Sequence, residues 1–255
     1  IRDWVKNHYG EMIRKGWSRS TNQAVNRVEY TVTGKTAVTP YQPIAAANDL
    51  PAGPTSAKPD FSSPLDARFT FENFIIGTSN ALAATAAQKV ATSDSVVFNP
   101  LYIHGRVGLG KTHLLQAVAA TLRDRAPHKK VVYMSAERFM FQFVQALRAK
   151  NTMTFKEYFS SVDVLLVDDI QFICGKESTQ EEFFHTVNTL LTLGKQIILS
   201  SDRAPVDLTG LDPRLQSRMA GGLVAEITLP DVQLRHDILR AKCALMGRNL
   251  NEDVV

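Results

Sequence analysis

Gly105-Arg106-Val107-Gly108-Leu109-Gly110-Lys111-Thr112 fits the phosphate-loop pattern G-x-x-x-x-G-K-[ST]. It follows a short apolar run, Leu101-Tyr102-Ile103, and precedes Leu114, Leu115, Val118 and Leu122 at helical spacing. Strand, glycine loop and helix are the setting in which this pattern becomes a site. Glycines at 105, 108 and 110 let backbone N–H groups converge on phosphate oxygens, where a helix N-terminus adds partial positive charge. Lys111 is then expected to reach the β- and γ-phosphates, and the Thr112 hydroxyl to hold Mg²⁺. A plain glycine turn is the competing reading; the complete pattern in its complete setting favours a nucleotide site.

Outward from this loop, Val162-Asp163-Val164-Leu165-Leu166-Val167 reads as a buried strand that delivers Asp168 and Asp169 at its C-terminal end. Open α/β sheets bind ligands at that edge, so both carboxylates are candidates to face the phosphates. Asp168 is expected to serve Mg²⁺, and Asp169 to orient or deprotonate an attacking water. Ile197-Ile198-Leu199-Ser200-Ser201-Asp202-Arg203 is another apolar strand with a polar end. There Ser200 or Ser201 either meets the γ-phosphate or the water, or caps the next element. Asp212-Pro213-Arg214-Leu215-Gln216-Ser217-Arg218 puts two arginines four apart on one helix face. They form either a solvated basic face or a finger aimed at a neighbouring subunit's nucleotide.

The remaining pattern predicts helices over 79–91, 139–147 and 179–191 and a short one closing at Tyr158 and Phe159. Further strands are expected at Val131-Val132-Tyr133-Met134 and over 196–199. Alternating strands and helices imply an α/β fold with a parallel sheet and helices on both faces.

A hydrophobic fraction of 44% and a charged fraction of 21% describe a globular chain of 255 residues, one sizeable core plus an appendage. No run is long and apolar enough to span a bilayer, no secretory leader is seen, and a cytoplasmic location is expected. The two cysteines, Cys174 and Cys243, are too few for a disulfide framework and lack metal-ligand spacing. Residues 1–35 carry seven Lys/Arg (Arg2, Lys6, Arg14, Lys15, Arg19, Arg27, Lys35) against three acids (Asp3, Glu11, Glu29), a net of +4. The remaining 22 basic and 22 acidic residues cancel, so any DNA contact in the body must come from local clusters. Six of the 11 prolines fall between Pro40 and Pro64. This composition is expected to form a flexible linker. The chain starts at Ile1 without Met and stops at Val255 within a helical pattern, and is expected to be an internal fragment of a longer protein.

Several stretches carry a resemblance. They are Phe69-Thr70-Phe71-Glu72-Asn73-Phe74-Ile75-Ile76-Gly77-Thr78-Ser79-Asn80, Asn99-Pro100-Leu101-Tyr102-Ile103-His104, and the Gly-Leu-Gly-Lys-Thr-His-Leu run ending at Leu114. Val132-Tyr133-Met134-Ser135-Ala136-Glu137-Arg138-Phe139, Asp168-Asp169-Ile170-Gln171-Phe172 and Gln180-Glu181-Glu182-Phe183-Phe184-His185 join them. Over about residues 69–245 the sequence resembles the DnaA family of bacterial chromosomal replication initiators, a branch of the AAA+ ATPases, and Asp3-Trp4-Val5 resembles the end of that family's first domain.

The resemblance implies an AAA+ P-loop nucleoside triphosphatase over 67–230 and the start of its helical lid over 231–255. It implies a linker over 35–66 and the last part of an N-terminal protein-interaction domain over 1–34. Ile75, Ile76 and Gly77 would line adenine; Gly105, Gly108, Gly110, Lys111 and Thr112 would hold phosphates of ATP or ADP, with Mg²⁺ on Thr112 and Asp168. Asp168 and Asp169 would serve metal and water, and Arg218 would be the finger. The implied function is a weak ATPase acting as a switch, which assembles in its ATP form on origin DNA and melts it. Single-stranded DNA would meet the segment 136–161 through Arg138, Arg148, Lys150 and Lys156. Duplex origin sites would be read by a domain beyond this chain. Self-oligomers, the replicative helicase (through the N-terminal domain) and acidic phospholipids are further implied partners. One departure stands in the phosphate loop, where the family usually has glycine at the position of Arg106. An AAA+ helicase loader or initiator-regulating paralogue is the nearest alternative, and a small-molecule kinase a more distant one.

Overall fold

The computed structural model describes residues 60–245 and Gly247. The expected N-terminal piece, the linker up to residue 59, and residues 246 and 248–255 of the expected lid lie outside the described residues. In chain order the elements are α1 (Ala81–Thr92), β1 (Leu101–His104), α2 (Lys111–Arg125), β2 (Val131–Ser135), α3 (Ala136–Arg148), α4 (Thr152–Ser160) and β3 (Val164–Asp168). They continue with α5 (Glu177–Thr192), β4 (Gln196–Ser201), α6 (Pro213–Ala220), β5 (Leu223–Glu226) and α7 (Val232–Leu245). The strands form one parallel sheet in the order β2-β3-β4-β1-β5.

Side-chain alternation along each strand explains why the sheet is covered on both faces. Val132, Met134, Leu165, Val167, Ile197 and Leu199 join one core with the aromatic residues of α3, α4 and α5. Their neighbours Val131, Tyr133, Val164, Leu166 and Ile198 join the other, beneath α1 and α2. The first core is built on rings: Phe139 lies 5.4 Å from Phe155, 5.2 Å from Phe159 and 5.1 Å from Phe183, centroid to centroid. Truncating such a buried Phe to Ala costs about 3–5 kcal/mol. In the second core α1 packs against α2, and Ala83, Ala84 and Ala87 are buried there, small side chains that permit close helix approach.

The expected elements are present with shifted ends. Helix α3 begins at Ala136, three residues before the expected start at Phe139, because the Ser135 hydroxyl caps the Arg138 N–H at 3.2 Å. β5 was not expected: it is a four-residue edge strand without a long apolar run. Residues 60–66, expected at the end of the linker, pack against the body that carries the sheet. The Phe61 ring packs 4.5 Å from Tyr158, and Ser63 N–H donates to the Tyr133 carbonyl at 2.7 Å. Proline-rich composition hid these contacts, which are made with residues 70 or more positions away.

Candidate functional site

The sheet order places β4 between β1 and β3, so the phosphate loop after β1 and the acids after β3 flank the polar end of β4. Gly110, with φ +93°, serves as the N-cap of α2, and a Cβ there would lie 2.9 Å from the Phe74 ring. A Cβ on Gly105 would meet the Ile227 carbonyl at 2.3 Å, so the loop fits only as glycine at both ends. The Lys111 ammonium folds back onto this loop, donating to the Gly105 carbonyl at 2.7 Å and the Arg106 carbonyl at 3.1 Å. Lys111 is 6% exposed, yet no carboxylate pairs with it among the described residues. A sheltered cation on carbonyls alone, at a helix N-terminus, is a receptor for an anion. Arg106 is exposed at the loop's outer side and borders a cleft of about 590 Å³ with His104, Asp202, Asp207 and Glu226.

Asp168 is buried and ringed by hydroxyls. It accepts a short hydrogen bond from Ser200 Oγ, one from Tyr133 Oη at 3.3 Å, and one from Thr112. Burial raises its pKa, while the Ser200, Thr112 and Tyr133 hydroxyls pull it down and the nearby Asp169 charge pushes it up. Asp169 follows in a left-handed conformation, φ 58°. Its N–H donates to Ser200 Oγ at 2.9 Å, and Gln171 Nε2 donates to its Oδ1 at 3.0 Å. Thr112 and Asp168 thus bring a hydroxyl and a carboxylate together beside the phosphate loop. No group of three or more His, Cys, Asp or Glu placed to hold a metal gathers among the described residues.

Both serines considered for the γ-phosphate are fully buried and otherwise engaged. Ser200 joins Asp168 to the Asp169 backbone, and Ser201 donates to Gln171 Oε1 at 3.1 Å. Gln171 also accepts from the Asp202 N–H at 3.2 Å, and so ties the ends of β3 and β4 together. Gln171 and Asp202 were given no role from sequence. Both were visible inside quoted stretches, but only the neighbouring of β3 and β4 ends singles them out.

On the other side of the loop, a cavity of about 160 Å³ is lined by Phe74, Ile75, Gly108, His113, Ile238 and Lys242, among others. Ile75 lines it; Ile76 is exposed, and Gly77 packs under Leu234 of α7, where a Cβ would approach to 2.8 Å. Asn80 holds this turn by accepting from Gly77 N–H at 2.9 Å and donating to the Ile75 carbonyl at 3.0 Å. His113 bonds the Thr70 carbonyl through Nε2 at 2.7 Å between the rings of Phe69 and Phe74. Burial lowers its pKa, which favours the neutral ring.

Arg214 is consumed locally: it pairs with Asp212 at 2.7 Å and lies 4.8 Å over the Phe184 ring. Arg218, one turn later, is exposed and has no ion pair among the described residues. The four cations of 136–161 divide in the same manner. The Arg138 guanidinium donates to the Phe61 carbonyl at 2.9 Å and the Ser62 carbonyl at 3.4 Å, and Lys156 pairs with Glu182 at 3.5 Å. Arg148 and Lys150, at the turn between α3 and α4, are exposed without an ion pair among the described residues. Exposed Leu147 and Met153 flank them. No described helix is long and apolar enough to cross a membrane.

The family described as "Bacterial DnaA ATPAse domain" matches residues 65–226. The chromosomal replication initiator protein DnaA of Rickettsia peacockii (strain Rustic) is 44% identical over 259 residues, covering 100% of this chain and 56% of that protein. The chain thus spans about half the length of the curated relatives it matches. Domain III of the Thermotoga maritima replication initiation protein DnaA superposes with a TM-score of 0.72 at 41% identity, over 75% of this chain and 80% of that one. A replication initiator DnaA bound to AMPPCP and single-stranded DNA gives a TM-score of 0.70 at 43% identity, over 74% and 59% of the two chains.

Proposed function

The chain belongs to the DnaA family of bacterial replication initiators, and we propose that it carries the ATP switch of such an initiator: it binds and slowly hydrolyses ATP, and its ATP form assembles on origin DNA and melts it. The observation that carries this reading is the buried Lys111 ammonium, held on loop carbonyls without a counter-ion where a helix begins. Triphosphate oxygens would replace those carbonyls. Family membership favours the initiator over the helicase-loader alternative. The related initiator bound to AMPPCP and single-stranded DNA supports both ligands for this chain.

The residues present fit Mg²⁺, which Thr112 and Asp168 would hold together with phosphate oxygens. When bound, the ion offsets charge on the β- and γ-phosphate oxygens. The base would enter the cavity beside Ile75 and His113, closed by α7. Asp169 would orient the attacking water, its Oδ1 fixed by Gln171. As water attacks the γ-phosphorus, the bond to the bridging oxygen breaks, ADP departs with that electron pair, and the water's proton leaves towards the carboxylate. Arg218 would complete the site of the next subunit. Arg148 and Lys150 at the α3–α4 turn would carry the DNA backbone contact, which makes the DNA surface narrower than the full 136–161 segment. Residues 1–34 would belong to the domain that meets the replicative helicase, with acidic phospholipids as a further partner and the cytoplasm as the location.

The test compares ATP, ADP and no nucleotide in binding of a labelled single-stranded oligonucleotide, with sedimentation to read assembly. ATP-specific assembly and tighter DNA binding are expected. Identical DNA binding and no assembly in all three states would refute the switch.

A further inference from the structure

Tyr133 joins the segment 60–66 to Asp168 through a buried chain of hydrogen bonds. Its backbone is clamped from one side: Ser63 N–H donates to its carbonyl at 2.7 Å, and its own N–H donates to Ser62 Oγ at 3.2 Å. Arg123 Nη2 secures the same Ser62 hydroxyl at 2.7 Å. The side chain continues the link. Asp66 N–H donates to Gln116 Oε1 at 2.7 Å, Gln116 Nε2 donates to Tyr133 Oη at 3.1 Å, and Tyr133 Oη donates to Asp168 Oδ2 at 3.3 Å.

The direction of this chain is forced at both ends. A backbone N–H can only donate, which fixes the orientation of the Gln116 amide, and an ionised carboxylate can only accept, which fixes the Tyr133 hydrogen. Every donor therefore points toward Asp168, and bonds aligned in one direction polarise and strengthen one another. Gln116, Tyr133 and Asp168 are 8%, 6% and 4% exposed, so water does not substitute for a missing member. The other two hydroxyls on Asp168, Thr112 and Ser200, belong to the start of α2 and the end of β4. Among the described residues, Tyr133 is the donor that reaches back to the segment through which residues 1–59 enter the ATPase body.

From this we propose that Tyr133 is a positioning residue: docking of segment 60–66 on β2 sets the placement of Asp168 through Gln116 and Tyr133. The proposal rests on Asp168 being the metal-side acid. It makes the segment and the nucleotide site reciprocal partners, since whatever tightens Asp168 also tightens the Asp66 amide.

The experiment uses Tyr133→Phe, which keeps the ring, and Gln116→Met, which keeps the length without either hydrogen bond. Mg²⁺ is titrated at saturating fluorescent ATP analogue, and exchange of the Asp66 amide is followed with and without Mg²⁺ and nucleotide. Tyr133→Phe should raise the half-saturating Mg²⁺ about three- to tenfold, within the range expected for one ordinary hydrogen bond, since this one is long at 3.3 Å. Gln116→Met should shift it less, and the double variant no more than Tyr133→Phe alone, because both cut one chain. In the unaltered protein the Asp66 amide should exchange more slowly once Mg²⁺ and nucleotide are added, and in Tyr133→Phe, which leaves the Asp66–Gln116 bond in place, this response should vanish. An unchanged Mg²⁺ midpoint in Tyr133→Phe, or additive shifts in the double variant, would overturn the proposal. If Asp168→Asn also leaves the midpoint unchanged, the metal-side reading itself fails. Should Tyr133→Phe not fold, the Mg²⁺ midpoint of Gln116→Met decides alone, and no shift there would overturn the proposal.

Discussion

Replacing Arg148 and Lys150 together by Ala should remove nearly all the salt dependence that the α3–α4 pair gives to single-stranded DNA binding. The magnitude follows from which cations are free. The Arg138 guanidinium is spent on the carbonyls of Phe61 and Ser62, and Lys156 on Glu182, whose side chain is 9% exposed. Arg148 and Lys150 have no such partner among the described residues; both are exposed, at a turn where Lys150 adopts φ 53°. Each cation on a single strand releases about 0.7 counterions, so two account for a slope of about 1.4 in log affinity against log salt. Between 50 and 200 mM salt that slope is worth about a sevenfold loss of affinity. Fluorescence anisotropy of a labelled oligonucleotide over a KCl series, in ATP, measures it. The double variant should lose about 1.4 from the slope, and Lys156→Ala much less. An unchanged slope in the double variant, or an equal drop in Lys156→Ala, would refute the division of these cations.

Two further outcomes follow from the site. Asp169→Asn should leave ATP affinity within about twofold while hydrolysis falls by about 10²-fold or more, as expected for loss of a water-orienting group; single-turnover release of phosphate reads it, and a collapse of binding equal to that in Asp168→Asn would contradict the separate roles. Arg218→Ala should spare ATP binding by a lone protomer yet slow assembly-stimulated hydrolysis, where fingers supplied in trans change rates by about 10³–10⁵. Mixing it with Lys111→Ala protein should restore activity at interfaces that join an intact pocket to an intact arginine, and absence of recovery at every ratio would count against the trans role.

The phosphate loop and the acids after β3 were legible because their chemistry is local: glycines, Lys111 and Thr112 are contiguous, and Asp168 ends an unbroken apolar run. What escaped was set by distant contacts. Arg138 reads as a surface cation until Phe61, 77 residues earlier, is found lying across it. Tyr133 reads as one more strand residue, because its hydroxyl meets Asp168 only when β2 and β3 pair in register, Ser135 beside Asp168. Residues 60–66 share the proline-rich composition of the stretch before them. Phe61, seated against Phe155, Tyr158 and Phe159, and Leu65, packed against the second core, mark a docked segment rather than a tether. β5 lacked a signal for a different reason: as an edge strand its first two residues are only half-buried, so it needs no long apolar run.

The central claim is that the Lys111 ammonium, sheltered on the carbonyls of Gly105 and Arg106, receives the phosphates of ATP. Titrating a fluorescent ATP analogue in Mg²⁺ into the protein and into Lys111→Ala tests it directly. Losing a charge-assisted contact of about 1.5–3 kcal/mol should weaken binding by about 10- to 150-fold, with the unliganded fold intact by circular dichroism. Equal affinities in the two proteins would contradict the account.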